Sequence, residues 1–98
     1  MAKLHVALEE GFAGDDVTVI VNGRAVFEQR GVTTRPEIGL ATSFDADAPD
    51  GEAELELRYR GRSARVEVSA NQPVWIGLSL NDSGAMEHRV SATPYGYL

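Results

Sequence analysis

Between residues 52 and 70 the chain alternates apolar and polar side chains almost without a break. Ala53, Leu55, Leu57 and Tyr59 are interleaved with Glu52, Glu54, Glu56, Arg58 and Arg60, and Ala64, Val66, Val68 and Ala70 with Ser63, Arg65, Glu67 and Ser69. A period of two is that of a strand with one wet face. Gly61-Arg62 between the runs suits a two-residue hairpin turn with glycine at its positive-φ position. That turn sets Tyr59 against Ala64, Leu57 against Val66, Leu55 against Val68 and Ala53 against Ala70. On the wet face it opposes Arg58 to Arg65 and Glu56 to Glu67, like-charge pairs that destabilise a sheet, while the attractive diagonals roughly offset them.

A second hairpin is predicted over residues 17–30, around Asn22-Gly23. A two-residue turn there pairs Val21 with Arg24, Val19 with Val26 and Val17 with Glu28. A three-residue loop with Gly23 as a bulge pairs Val19 with Ala25 and Val17 with Phe27. The bulged loop is preferred, because it gathers Val17, Val19, Ala25 and Phe27 on one face.

The remaining elements follow from the same alternation. Leu4, Val6 and Leu8 mark a first strand, and residues 10–16 a loop carrying Phe12. Residues 31–37 read as a connection, since Pro36 lacks an amide donor and holds Arg35 extended. Residues 38–46 are predicted as a strand broken near Ala41, and Ala-Pro-Asp-Gly at 48–51 as a turn. Val74, Ile76, Leu78 and Leu80 form the most apolar strand, with Trp75, Gly77 and Ser79 on its other face. Met86, His88 and Val90 alternate with Glu87 and Arg89 in a last strand, before an unpatterned tail containing Tyr95 and Tyr97. No apolar run has helical spacing.

Seven or eight short strands in 98 residues predict an all-β chain: one domain, built as a two-layer antiparallel β-sandwich. Its core is expected to hold Leu55, Leu57, Val66, Val68, Ile76 and Leu78. In size and rhythm the chain resembles the immunoglobulin-like and transthyretin-like sandwiches. The likeness spans the whole chain but is one of pattern. The Cys–Trp–Cys core of true immunoglobulin domains is missing, and sandwiches host unrelated functions, so no site residue follows from it.

Composition narrows the chemistry. There is no cysteine, which removes disulfides, thiolate metal sites and a cysteine nucleophile. A net charge of −6 disfavours nucleic acid and anionic membranes, whose binding draws on a basic surplus. No apolar run reaches the length of a signal core or a membrane span, so a cytoplasmic location is expected. No phosphate loop, nucleophile elbow or paired-histidine motif occurs, and the only histidines are His5 and His88. The expectation is a non-enzyme without cofactor.

Three groups remain as candidates. Asp45, Asp47, Asp50 and Glu52 could offer oxygen ligands to Ca²⁺, but Pro49 and the strand flanks break the loop pattern of a helical calcium site. Strand alternation would also turn Asp45 and Asp47 into ordinary solvated residues. Arg58, Arg60, Arg62 and Arg65 surround a hairpin tip and could hold an anion, although Glu54, Glu56 and Glu67 share that face and a charged hairpin also resists aggregation. Trp75, Tyr95 and Tyr97 could supply partner contacts, or else close the sandwich. The leading expectation is a protein-interaction or self-associating module, a homodimer through the last strand among the options. The alternative is a ligand-binding module for carbohydrate or anion, with or without Ca²⁺.

Overall fold

A computed structural model describes residues 1–94 and bears out the all-β expectation. Eight strands follow in order: β1 (Ala2–Leu8), β2 (Ala13–Val21), β3 (Arg24–Thr33), β4 (Thr42–Ala48), β5 (Glu52–Tyr59), β6 (Arg62–Ser69), β7 (Val74–Leu80) and β8 (Met86–Ser91). They form two four-stranded sheets, β4-β1-β7-β8 and β3-β2-β5-β6. All neighbours are antiparallel except β1 and β7, which run parallel, a pairing that alternation alone cannot reveal. Among the described residues there is no helix, and none long and apolar enough to cross a membrane.

The inward positions of both sheets meet in one core. Leu4, Leu8, Leu55, Leu57, Ile76 and Leu78 are its largest fully buried side chains, and Val66 and Val68 are buried with them. Phe12 leaves its loop to join this core. The β3–β4 side of the sandwich is closed by Phe27 stacked on Phe44, with ring centroids 4.3 Å apart.

Both predicted hairpin registers are corrected. In β5–β6 the turn residues are Arg60 and Gly61, at φ 49° and 70°, the two positive values of a type I′ turn. Leu57 therefore faces Ala64, Leu55 faces Val66 and Ala53 faces Val68. A shift of two residues keeps every apolar side chain on its face, so alternation cannot detect it. Charge can: Glu56 now faces Arg65 and Arg58 faces Ser63, which removes both predicted conflicts and leaves Glu54 against Glu67.

In β2–β3 the turn is the two-residue one on Asn22 (φ 50°) and Gly23 (φ 80°), with Val21 opposite Arg24. The bulge comes later: Ile20 faces Ala25 but Val19 faces Phe27, so Val26 is the extra residue. Asn22 suits its left-handed conformation, and its Oδ1 also accepts the Glu54 amide at 2.9 Å. These strands also run further than predicted, from Ala13 and to Thr33. Further register shifts flank Asp15, and side chains take up ladder positions there: Asp15 accepts from the Ala13 amide, Thr33 from Gly14 and Asp16 from Gly31.

Residues 38–41 are not strand. The Ile38 and Gly39 amides both donate to the Arg35 carbonyl, and Arg35 bridges Leu40, closing a turn before β4 begins. The element begins at Thr42, directly after the predicted break at Ala41.

Candidate interaction face

The outward residues of the β4-β1-β7-β8 sheet are ordered in rows across the strands. In one row Asp45, His5 and Trp75 are register partners. His5 Nδ1 and Asp45 Oδ1 are 2.8 Å apart, and the imidazole stacks on the indole with centroids 4.6 Å apart and planes 15° from parallel. Trp75 is therefore half-buried on the outer face, one ring face covered by His5. In the next row Ser43, Ala7, Gly77 and Arg89 are partners.

Over Gly77 lies the carboxylate of Glu9, a side chain only 7% exposed. Arg89 grips it with both arms of its fork, Nε–Oε1 3.1 Å and Nη2–Oε2 2.5 Å. Such a charge is tolerated in a dry position only when paired and hydrogen-bonded. A Cβ at position 77 would collide with that carboxylate, so glycine is what lets Glu9 lie against β7. The signal in the sequence was a glycine inside an apolar strand, which marks a close approach of another group. What approaches is Glu9, a residue with no signal of its own in the sequence. An open depression of about 490 Å³ adjoins this pair, with Glu10, Ser79 and Glu87 on its walls.

The acidic run is spread over β4, the turn that follows it and the start of β5 in the other sheet. Asp47 faces Lys3 and Asp45 faces His5 across β1–β4. Lys3 Nζ is 3.2 Å from Asp47, the N-terminal ammonium 3.4 Å from Asp50, and Glu52 accepts from Ser69 Oγ at 3.1 Å. Each candidate Ca²⁺ ligand thus has its own partner, and among the described residues no three metal-ligating side chains converge.

The arginines also separate. Arg60 forms a two-pronged pair with Asp15, Nε–Oδ1 2.6 Å and Nη2–Oδ2 3.0 Å, tying the β5–β6 turn to β2. Hydrogen bonding from Arg60 holds the Asp15 carboxyl below its ordinary value, against an opposing push from burial. Arg58 does the same for Glu56, with Arg65 assisting. Arg62 lies over the Tyr59 ring, 5.7 Å from its centroid, while the Tyr59 hydroxyl donates to the Gly84 carbonyl at 2.7 Å.

The two sides of the sandwich differ. Phe27 and Phe44 close the β3–β4 side. On the opposite side, β8 ends its sheet, and Glu87, His88, Arg89 and Val90 are all exposed. Met86, His88 and Val90 face Leu80, Leu78 and Ile76 in register. Val90 is nevertheless 48% exposed, and with Met1 it is the large apolar residue left open among the described residues. Tyr95 and Tyr97 lie outside the described residues. Comparison of the chain with protein-family models, curated proteins and solved structures finds no match.

Proposed function

We propose that this chain is a non-catalytic protein-interaction module whose contact element is β8. The observation that carries this reading is the unequal finish of the sandwich. An aromatic stack covers one side, while the other ends in a strand with four consecutive exposed residues and an open valine. An edge strand presents unpaired N–H and C=O groups to any polypeptide that can align with it. The immunoglobulin-like and transthyretin-like resemblance is compatible with such a role but carries no residue of it.

Binding of a sugar or anion has less support. His5 already occupies one face of Trp75, and Arg58, Arg60 and Arg65 are engaged by carboxylates of the same chain.

Light scattering over a dilution series tests the reading in its self-associating form. The chain, 10.6 kDa as a monomer, is expected to show a larger mass at high concentration that falls on dilution. Val90→Lys places a charge on the edge and should hold the mass at the monomer with little change in melting temperature, the site being half open. A monomeric mass at every concentration, unaltered by removal of residues 93–98, would defeat self-association.

A further inference from the structure

We infer that the partner fitted by β8 is a second copy of this chain, joined antiparallel about a two-fold axis with His88 opposite His88. This inference rests on the reading of β8 as the contact strand. It starts from the order of side chains along that strand, Met86-Glu87-His88-Arg89-Val90. Reversed and laid beside itself with His88 at the centre, the segment sets Glu87 against Arg89 of the other copy, Arg89 against its Glu87, and Met86 against its Val90. Both charged pairs are opposite in sign, and both apolar residues meet apolar partners, the combinations that stabilise directly opposed positions.

Neighbouring registers do worse. Centring on Glu87 opposes two carboxylates, and centring on Arg89 opposes two guanidinium groups. Centring on Val90 sets Arg89 against Ser91 and carries the pairing past the end of the strand at Ser91. Shifts by a single residue place outward residues opposite inward ones, so the two sandwiches could not continue one sheet with their cores on the same side.

Both charged side chains are already ordered by partners in their own chain. Glu87 accepts from Asn81 Nδ2 at 3.2 Å, and Arg89 is clamped by Glu9 through Nε and Nη2. A guanidinium carries five N–H donors in a rigid fork, more than a single carboxylate engages. Holding Arg89 in place before association lowers the ordering cost that an exposed arginine otherwise pays. The clamp is therefore a positioning device: Gly77 admits Glu9, and Glu9 fixes Arg89, whose side chain stays 54% exposed. A two-fold pairing also satisfies the edge in a closed dimer, whereas joining β8 to a different strand of the next copy would propagate a fibre.

The absence of cysteine makes the register directly measurable. In single-cysteine variants His88→Cys, Glu87→Cys and Val90→Cys, the His88-centred dimer brings only the two thiols at position 88 within disulfide reach. Opposed Cα atoms stand about 4.5–5.5 Å apart, whereas the two residues at 87 lie about 8 Å apart and those at 90 further, beyond the roughly 7 Å limit. Under mild oxidation the His88→Cys chain should give a linked dimer at least about tenfold in excess of either flanking variant. Light scattering on the wild-type chain is run in parallel. Linking at 87 or 90 in place of 88 would overturn the register while leaving β8 as the contact. A dimer in solution with no linking at any of the three positions would overturn β8 itself. A strict monomer with no linking would overturn the second copy as partner.

Discussion

Asp15 and Arg60 show how one residue can serve backbone and electrostatics together. Arg60 occupies a left-handed conformation that disfavours any side chain except Gly, Asn or Asp by about 1–2 kcal/mol, yet its side chain reaches back to a carboxylate only 7% exposed. The folded pKa of Asp15 is lowered from 3.8, chiefly by hydrogen bonding to Arg60. A depressed folded pKa means that the unfolded chain binds the proton first, so the stability this pair contributes is full above the unfolded value. It is lost as pH falls from about 4 downward through the folded value. Urea unfolding between neutral pH and about pH 2.5 should therefore show a steeper acid loss for the wild-type chain than for Asp15→Asn. Parallel curves below about pH 4 would mean that the pair contributes nothing to folding.

Most of the strands were legible in the sequence because they have a dry face, and a dry face repeats every second residue. Their partners were less so. The β5–β6 register slipped by two residues without moving Leu55, Leu57, Val66 or Val68 out of the core, and only the charges at Glu56 and Arg65 distinguish the choices. The turn on Arg60-Gly61 was missed because an arginine at positive φ breaks local preference, and its reason, Asp15, lies 45 residues away. The parallel contact of β1 with β7 is a matter of topology, invisible to any window of residues. The candidate face was legible only in its parts: Trp75 and Gly77 stood out, but His5 and Glu9 gained meaning once β1 lay beside β7. The corrected register carries its own expectation. Leu57 is fully buried on the inner strand β5, flanked by Val19 and the small Ala64. Leu57→Ala should cost about 2–5 kcal/mol, towards the upper end, since such neighbours have little reach to fill the cavity. Chemical denaturation checks this, and an unchanged midpoint would contradict the packing described.

For the molecule as a whole, net charge and the β8 contact act in opposite directions. Each chain carries −6, and two four-stranded sheets joined at β8 into one place the centres of the copies four strand spacings, about 20 Å, apart. Treated as point charges in water, they repel by about 7 kcal/mol without salt. At 0.01 M ionic strength the screening length of about 30 Å leaves roughly 4 kcal/mol of this, and at 0.15 M, with a length of about 8 Å, less than about 1 kcal/mol. The two Glu87–Arg89 pairs across the axis also weaken with salt, but exposed pairs are worth only about 0.2–1 kcal/mol each and sit well within a screening length. Long-range repulsion thus changes more than short-range attraction does. Self-association should tighten by about a hundredfold between 0.01 and 0.15 M salt, the reverse of what an interface governed by ion pairs would do. Sedimentation equilibrium at the two salt concentrations measures the difference. A dimer that loosens as salt rises would show that the charges at the edge, rather than the overall charge of the chain, dominate its assembly.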